Sequence, residues 1–307
     1  MSRYRIAVLS KRTSYGTFVE EGGEPRVAEL LRTGDPTVSR MRRSHEDHLE
    51  TQRELRAAIR DLGARADFYA GSRARIPGRY DLVVTVGGDG TVLGASHQLG
   101  PKSPLLGVNS APESSVGFFC AATKGNVRAT LAAAMAGKLR GVTLSRMRVE
   151  INGKLLHNRV LNEALFCHAS PAATSRYILR MVRKGRTSEE EQKSSGLWIG
   201  PAAGSTAAQR SAGGKVLPLK ATKLQFVVRE PYHGAGDGTC KLIHGLVGED
   251  DRLELWSKMR TAKLFLDGHH DEHDVHIGDR LTMRRSDETV TILGLTRNAG
   301  KPSAKPR

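Results

Sequence analysis

A glycine-rich stretch, Gly87-Gly-Asp-Gly-Thr91, offers the clearest chemistry in this sequence of 307 residues. Glycine allows a ligand to approach the backbone closely, and free N–H groups in such a turn bind phosphate oxygens. Asp89 adds a carboxylate where phosphates would lie, which suits a base or a metal contact. The stretch therefore predicts a phosphate-binding turn, and the alternative is a turn that only reverses the chain.

The residues around Asp89 predict its position between a strand and a helix. An apolar run over residues 82–86 is typical of a parallel strand that is buried on both faces. Residues 91–99 then predict a short helix. Because open α/β sheets bind ligands at such strand-to-helix turns, we expect Asp89 at the ligand-binding edge of a sheet.

Strand and helix patterns alternate in the first part of the chain, which predicts a Rossmann-like α/β domain with a parallel sheet over residues 1–122. A charged helix is predicted within residues 37–62, with Gly63 as its stop. The predicted strands cover residues 5–9, 66–70, 82–86 and 104–109.

A strand-rich, β-sandwich-like domain is predicted over residues 123–295. It begins with an alanine-rich helix over residues 124–136, after which helix signals are sparse. The Asn152-Gly153 turn predicts a hairpin over residues 144–157. Further strands are predicted at residues 160–167, 177–182, 197–199, 224–229, 252–256, 263–266, 280–284 and 290–293. Residues 296–307 form a basic tail whose composition is typical of disorder.

Two polar stretches interrupt the strand-rich region. Asn162-Glu163 lies inside an apolar strand pattern, where burying both side chains without partners would be costly. It is interpreted either as a ligand contact or as a half-exposed edge strand. Residues 201–214 are rich in small and hydroxyl side chains, which suits the close approach of a nucleotide base or ribose. The alternative for this second stretch is a turn that packs small residues.

The stretch His269-His-Asp-Glu-His273 matches the H-x-x-E-H pattern of some metalloproteases. That chemistry requires a helix that presents both histidines on one face. Asp267-Gly268 precedes the stretch and no apolar stripe accompanies it. We therefore interpret it as a solvated loop between two strands, with metal binding as the minor alternative.

The composition limits the class of protein. The net charge is +16, but the basic residues are spread along the chain and aromatic residues make up only 5%. We therefore expect a surface that attracts phosphorylated small molecules, and no binding of nucleic acid. No apolar run approaches the ~18 residues of a membrane span, so no membrane partner is expected. Three cysteines without a secretion signal predict a reducing, cytoplasmic environment.

Taken together, these motifs resemble those of the NAD kinase family. The shared segments follow the family's order along the chain and are residues 87–91, 107–109, 117–118, 162–163, 204–206, 211–214 and 267–268. Each motif alone is weakly specific, whereas their order makes the resemblance specific. Residues 11–18, 194–197 and 229–231 are most similar to the mitochondrial-type branch of the family.

The resemblance implies ATP-dependent phosphorylation of the 2′-hydroxyl on the adenosine ribose of NAD or NADH, with Mg²⁺ accompanying ATP. Asp89 would be the base. The residues that would hold the donor phosphates are Gly87, Gly88, Gly90 and Thr91. The family also implies a homodimer or homotetramer.

The resemblance also implies an acceptor site. Asn162 and Thr206 would contact adenine, and Glu163 would contact the ribose. The other residues expected to bind NAD are Phe118, Lys193, Ala207 and Ser211.

Several positions depart from the pattern common in the family, and these are Lys193, Ser195, Ala203 and Ala208. They leave open the preference between NAD and NADH and between dimer and tetramer.

Two other functions are alternatives: a lipid kinase of the diacylglycerol or sphingosine type, which shares the Gly-Gly-Asp-Gly turn, and a catalytically inactive nucleotide-binding regulator. Residues 107–109 and 211–214 count against the lipid kinase.

Overall fold

The computed structural model describes residues 4–232 and 240–295, so the predicted basic tail at 296–307 lies outside the described residues. The chain forms two compact units. The first contains the residues up to Val142 together with those from Val290 onward, and the second is Thr143–Thr289. This division differs from the predicted boundary near residue 122, and the packing of one helix explains the difference, as described below.

A parallel sheet forms the centre of the first unit, with strand order β2-β1-β3-β4-β5. Near the end of the chain, Ile292 pairs in parallel with Leu105 of β4. The sheet confirms the predicted α/β fold of this region. Its strands are β1 (Arg5–Ser10), β2 (Arg65–Ala70), β3 (Leu82–Gly87), β4 (Leu105–Asn109) and β5 (Cys120–Thr123).

Helices cover this sheet, because alternate strand side chains provide an apolar face. The helices are α1 (Pro25–Thr33), α2 (Met41–Asp61), α3 (Asp89–Ser96) and α4 (Val127–Met135), with a π-helical turn at Gly16–Glu21 and a 3₁₀ turn at Pro36–Val38. α2 and α4 share one core with β1, β3 and β4, whereas α3 contacts β1, β3 and β4. The buried side chains Leu55 and Ile59 of α2 and Leu131 of α4 belong to that core.

α4 belongs to the first unit because its N-terminal end is bonded to α2. The carboxylate of Glu54 accepts the N–H groups of Gly125 and Val127 at 2.8 and 3.1 Å. Lys124 forms ion pairs with Asp47 and Glu50 of α2. These contacts join residues about 70 positions apart, so the alanine-rich pattern alone could not assign the helix to its unit.

The second unit is rich in strands, as predicted. Its strands are β6 (Gly141–Ile151), β7 (Lys154–Val160), β8 (Ala164–His168), β9 (Ser175–Arg183), β10 (Arg186–Ser194), β11 (Gly196–Gly200), β12 (Leu224–Arg229), β13 (His244–Val247), β14 (Arg252–Ser257), β15 (Ala262–Leu266), β16 (Glu272–Val275) and β17 (Arg280–Leu293). A 3₁₀ turn at Ala202–Thr206 and the short helix α5 (Ala208–Ser211) follow β11. β6 begins and β17 ends in residues of the first unit.

Two groups of strands enclose the core of the second unit. One is an antiparallel sheet with the order β13-β12-β11-β8-β15-β16, and the other contains β10, β9, β14, β17, β6 and β7. Side chains from both groups form one buried apolar cluster. The rings of Phe166 and Tyr177, one from each group, meet edge to face with centroids 5.5 Å apart. This arrangement agrees with the sandwich-like packing predicted for the region.

Among the described residues, no helix combines the length and the apolar character that a membrane span requires.

Candidate active site

The glycine-rich stretch forms the junction between β3 and α3, where it was predicted. Gly88 is the N-cap of α3, and the helix begins at Asp89 rather than at the predicted Thr91. Close packing explains two of the glycines. A Cβ on Gly87 would lie 2.1 Å from the Thr91 hydroxyl oxygen, and one on Gly88 would lie 2.4 Å from that of Ser115. Only glycine fits these two positions without displacing a neighbour.

Gly90 is different, because it is exposed and a Cβ there would meet no atom within 4 Å. The first N–H groups of an α-helix have no partner inside the helix. The Thr91 N–H donates to the Gly88 carbonyl at 3.0 Å, and among the described residues those of Asp89 and Gly90 have no partner. The start of α3 therefore presents free N–H donors beside an open backbone, which is the arrangement that binds phosphate oxygens.

The Asp89 carboxylate is held by two consecutive backbone groups. The Phe118 N–H donates to Oδ2 at 2.9 Å, and the Phe119 N–H donates to Oδ1 at 2.8 Å. An ionised carboxylate oxygen has about two acceptor positions, so each oxygen keeps one for a ligand. Asp89 is thus fixed in orientation, partly exposed and still able to accept a proton or contact a cation.

The loop that supplies these N–H groups is shaped by Asn109. Its side-chain amide donates to the Ser115 carbonyl at 3.0 Å, and its side-chain oxygen accepts the Ala111 N–H at 3.2 Å. Gly117 packs against the same amide with a φ of +65°, and a Cβ there would lie 2.3 Å from Nδ2. The Gly107–Asn109 and Gly117–Phe118 motifs therefore have a shared structural task, which is to return Phe118 and Phe119 to Asp89.

Cys120 follows this pair of phenylalanines. Burial, and then the negative charge of Asp89, raise the pKa of its thiol to about 12. The thiol therefore stays protonated at neutral pH, which argues against a nucleophilic role for this cysteine.

In the second unit, the predicted strand over residues 160–167 was wrong in one respect. β7 ends at Val160 and β8 begins at Ala164, so Asn162 and Glu163 lie in a bend between them. The carboxylate of Asp267 causes this interruption. It accepts the N–H groups of Leu161, Asn162 and Glu163 at 2.7, 2.6 and 3.0 Å, and those groups are thereby lost to strand pairing.

Glu163 is the most unusual ionisable group of this bend. It is 8% exposed, and its Oε2 has no hydrogen-bond partner among the described residues. Burial, and then the nearby charge of Asp267, raise the pKa of Glu163 to about 8. A buried polar atom without a partner is costly, and a ligand hydroxyl or N–H would remove that cost.

The stretch after β11 packs directly on the bend. A Cβ on Gly204 would lie 1.8 Å from the Asn162 carbonyl oxygen, and one on Gly200 would lie 2.2 Å from it. Thr206 and Ala207 follow as half-buried residues, and Ser211 is exposed at the end of α5. The structure therefore brings the region of Thr206 to Asn162 and Glu163, as the prediction of a nucleotide site requires.

The remaining predicted site residues belong to other segments of the chain. Lys193 is in β10, where it pairs with Arg176 of β9 and its carbonyl accepts the Tyr232 N–H at 2.8 Å. Phe118 belongs to the first unit, beside Asp89. The predicted residues thus form one group in each unit, with Lys193 in a separate strand.

Sequence reasoning assigned no role to Asp267, although Asp267-Gly268 was among the family motifs. An Asp-Gly pair immediately after the apolar strand β15 is a signal that could have identified it. Asp267 has a φ of 49°, a conformation in which aspartate and asparagine are enriched. Such a residue at the end of a strand marks a turn in which the carboxylate can bind neighbouring N–H groups.

The H-x-x-E-H stretch does not have the geometry of a metalloprotease. Residues 267–271 connect β15 to β16, and Glu272 and His273 already belong to β16. His273 is within 2.9 Å of the Asp271 carboxylate. Because no helix carries the two outer histidines, they do not share a helical face.

Sequence comparison relates this chain to known proteins. Residues 26–139 match the family model for the ATP-NAD kinase N-terminal domain. A probable NADH kinase of Oryza sativa subsp. japonica is 39% identical over 233 residues, which cover 69% of this chain and 70% of the relative. An NADH kinase of Arabidopsis thaliana is 36% identical over 231 residues, which cover 69% of this chain and 72% of the relative.

Two solved structures share the fold. An NAD kinase from Archaeoglobus fulgidus in complex with ATP has a TM-score of 0.63 at 19% identity, covering 96% of this chain and 95% of the other. A yeast NADH kinase complexed with NADH has a TM-score of 0.67 at 15% identity, covering 97% of this chain and 86% of the other. At these identities the likeness concerns the fold alone. The plant relatives, by contrast, are similar enough over most of their length to show that this chain belongs to the NAD kinase family.

Proposed function

We propose that this protein transfers the γ-phosphoryl group of ATP to the 2′-hydroxyl on the adenosine ribose of NAD or NADH. The observation that carries the proposal is the orientation of Asp89, whose two oxygens are fixed by the N–H groups of Phe118 and Phe119 on a glycine-rich turn. NADH stands beside NAD as acceptor because the two plant relatives are named NADH kinases.

On the donor side, Gly87, Gly88, Gly90 and Thr91 hold the phosphates in this proposal. The free N–H groups of Asp89 and Gly90 supply donors at the start of α3, where the helix dipole favours negative charge. Mg²⁺ would arrive with ATP and would neutralise the charge of the transferring phosphoryl group. Asp89 is the carboxylate of the turn, and oxygen ligands of this type suit Mg²⁺.

Asp89 acts as the general base in this proposal. The proton of the 2′-hydroxyl passes to a carboxylate oxygen as the oxygen–phosphorus bond forms and the bond to ADP breaks. The two backbone N–H groups aim the carboxylate before the substrate arrives, which lowers the cost of positioning it during the reaction. A positioned base of this kind contributes about 10²–10⁴-fold to a rate.

On the acceptor side, Asn162 and Thr206 contact adenine and Glu163 contacts the ribose. The unpartnered Oε2 of Glu163 supports this assignment, because a ribose hydroxyl would satisfy it. The other residues proposed to contact the dinucleotide are Phe118, Lys193, Ala207 and Ser211. We further propose a dimer or tetramer, following the family resemblance, and a cytoplasmic location, following the cysteine content. Light scattering of the purified protein tests the assembly.

The decisive test is to incubate the purified protein with MgATP and, in separate reactions, NAD, NADH or diacylglycerol. Mass spectrometry should identify NADP or NADPH and no phosphorylated lipid. Product from diacylglycerol would favour the lipid kinase. Nucleotide binding without any product would favour the inactive regulator.

Removal of the divalent ion gives a second test. Activity should vanish when a chelator exceeds Mg²⁺ and return when Mg²⁺ is added in excess, because the triphosphate charge is then neutralised again. Full activity in the chelator would contradict the proposed donor complex. Thermal denaturation with and without the chelator is the control for an effect on folding.

A further inference from the structure

A buried glutamine of α5 packs against the bend formed by Asn162 and Glu163. Gln209 is 0% exposed, yet its side-chain Nε2 has no hydrogen-bond partner among the described residues. A Cβ on Gly200 would lie 2.7 Å from this nitrogen and 2.8 Å from the Cα of Glu163. The side-chain amide of Gln209 therefore stands next to the backbone of the bend, and its NH₂ group is left open by the chain.

Hydrogen bonds to a neighbouring glutamine decide which end of this amide is open. The Lys215 N–H donates to Oε1 of Gln225 at 2.8 Å, so the NH₂ group of Gln225 is the end that faces Gln209. That group donates to the Lys215 carbonyl at 3.1 Å and to Oε1 of Gln209 at 3.2 Å. Because a backbone N–H only donates and a carbonyl only accepts, reversing either amide would place like groups against each other. The open end of Gln209 is therefore a donor.

Close packing holds both glutamines in these positions. The Gly214 N–H donates to the backbone carbonyl of Gln209 at 2.8 Å, and a Cβ on Gly214 would lie 2.7 Å from Nε2 of Gln225. Both glutamine side chains are buried. The open NH₂ group is thus oriented before a ligand arrives, which lowers the entropic cost of binding one.

Gln209 and Glu163 carry complementary open atoms. Nε2 of Gln209 is a donor, and Oε2 of Glu163 is an acceptor when the carboxyl group is ionised. Both residues are buried, and both atoms lack a partner among the described residues, which is costly. A hydroxyl group accepts one hydrogen bond and donates another, so a single hydroxyl would satisfy both atoms. A phosphate oxygen or an aliphatic group would satisfy at most one of them.

We propose that Gln209 is a specificity-determining residue of the acceptor site. Its side-chain NH₂ group donates to a ribose hydroxyl of the dinucleotide, and the same hydroxyl donates to Oε2 of Glu163. The inference rests on the kinase function proposed above and adds a residue to it, because Gln209 lies between the family motifs at residues 204–206 and 211–214. A dinucleotide without that hydroxyl leaves two buried groups unpaired, and sites of this kind discriminate strongly against such an analogue.

Isothermal titration of the full chain tests the proposal first without any mutation. The ligands are NAD and NADH, together with analogues of the tighter-binding one that each lack a single ribose hydroxyl. The measurements are made at about pH 8.5, because the pKa of Glu163 is about 8 and its carboxylate is then mostly ionised. One analogue should bind at least about tenfold more weakly than its parent, the value of a lost hydrogen bond to a charged group. That analogue identifies the hydroxyl.

Gln209→Met keeps the length of the side chain and removes the donor. It should weaken binding of the parent dinucleotide by about tenfold. The analogue identified above should bind the variant and the wild type about equally, because the bond is already absent, so the two losses should not add. Gln209→Glu is the second variant. It keeps the oxygen that faces Gln225, replaces the donor by an acceptor, and should show the same coupling.

Gln98→Met is the control for the loss of an amide. The Gln98 side chain accepts the Ile76 N–H at 2.9 Å and donates to the Ala74 carbonyl at 2.8 Å, all within the first unit. This variant should leave dinucleotide binding unchanged.

The outcomes separate this inference from the proposed function. Losses that add for both Gln209 variants and every analogue would assign Gln209 to packing alone and overturn the inference, even if the protein phosphorylates NAD. Equal binding of all analogues to the wild type would also overturn it. If one analogue couples to Gln209 in a protein that phosphorylates neither NAD nor NADH, the inference stands and the proposed function falls. A protein that binds neither dinucleotide would refute both.

Discussion

Asp89 in the first unit and Asp267 in the second each bind consecutive backbone N–H groups with one carboxylate. Asp89 binds two, from Phe118 and Phe119, and Asp267 binds three, from residues 161–163. Hydrogen bonds to an ionised carboxylate are about twice as strong as neutral ones. In both regions a single side chain therefore fixes a loop that strand pairing does not hold.

The two regions differ in which group remains open to a ligand. At the glycine-rich turn, the anchored carboxylate of Asp89 is itself partly exposed. At the bend, the anchoring carboxylate of Asp267 is 8% exposed, and the neighbouring Glu163 has the oxygen without a partner. Anchoring and chemistry are thus combined in one residue of the first unit and divided between two residues of the second. Mutations can separate the two tasks only in the second unit.

The largest effect is expected for Asp89→Asn. The amide cannot take the proton of the hydroxyl, so kcat should fall about 10²–10⁴-fold. It also offers one acceptor oxygen instead of two, so one of the two N–H groups loses its partner and the free energy of unfolding should fall by about 1–3 kcal/mol. Steady-state kinetics and urea denaturation of one preparation measure both effects.

The matched control for this variant is Asp81→Asn. The Asp81 carboxylate accepts the Arg5 N–H at 2.7 Å, at the opposite end of β3. Asp81→Asn should lower the free energy of unfolding and leave kcat unchanged. An Asp89→Asn enzyme that is destabilised but turns over normally would reduce Asp89 to a helix-terminal residue.

Asp267→Asn should separate anchoring from chemistry. Asparagine tolerates the positive φ of this position, so the main loss is the charged acceptor of three N–H groups. The bend should loosen, and KM for NAD or NADH should rise by roughly 10–100-fold with KM for ATP unchanged. Asp279→Asn, which removes a carboxylate that accepts the His276 N–H at 2.8 Å, is the control. A lower melting temperature with normal KM values would make Asp267 purely structural.

Glu163→Gln preserves the shape of the side chain and the anchoring by Asp267. If the open oxygen contacts the ribose as a carboxylate, KM for NAD or NADH should rise by about tenfold above pH 8, where Glu163 is ionised, with little change for ATP. Glu254→Gln is the matched control, because Glu254 is also buried in the second unit but pairs with Arg252 at 2.8 Å. Unchanged kinetics in Glu163→Gln would remove Glu163 from the acceptor site.

The last effect is on stability rather than on catalysis, and it depends on pH. The pKa of Glu163 is about 8 in the folded protein, against about 4.3 for a glutamate in an unfolded chain. The folded state therefore keeps a proton that the unfolded state has lost between these values. Its contribution to stability is complete below about pH 4 and is lost as the pH rises to about 8.

Thermal denaturation from pH 5 to pH 8.5 checks this sign. The melting temperature of the wild type should fall relative to that of Glu163→Gln as the pH rises. Only the wild type has a carboxyl group at this position, and that group ionises more readily in the unfolded chain than in the folded protein. A difference that stays constant over this range would show that Glu163 does not titrate as proposed.

Several features of both regions were predictable from local sequence. The apolar run over residues 82–86 and the glycines after it correctly predicted a buried strand that ends in a turn. The start of the helix shifted only from Thr91 to Asp89. Alternation of strand and helix patterns, followed by a strand-rich region, correctly predicted the class of each region. These features depend on burial and backbone preference over a few residues, which a single sequence displays directly.

The residues that align the candidate site depend on tertiary structure. Asp89 is bonded to groups 29 and 30 positions away, and Asp267 is bonded to groups 104 to 106 positions away. The assignment of α4 to the first unit and the interruption of the strand at residues 161–163 rest on similar long-range bonds. Local patterns record which residues favour a strand or a helix, but not which distant N–H group a carboxylate will bind. The sequence by itself thus determined the elements and the chemical groups of this protein, and only the tertiary structure decided which groups are anchored and which remain open.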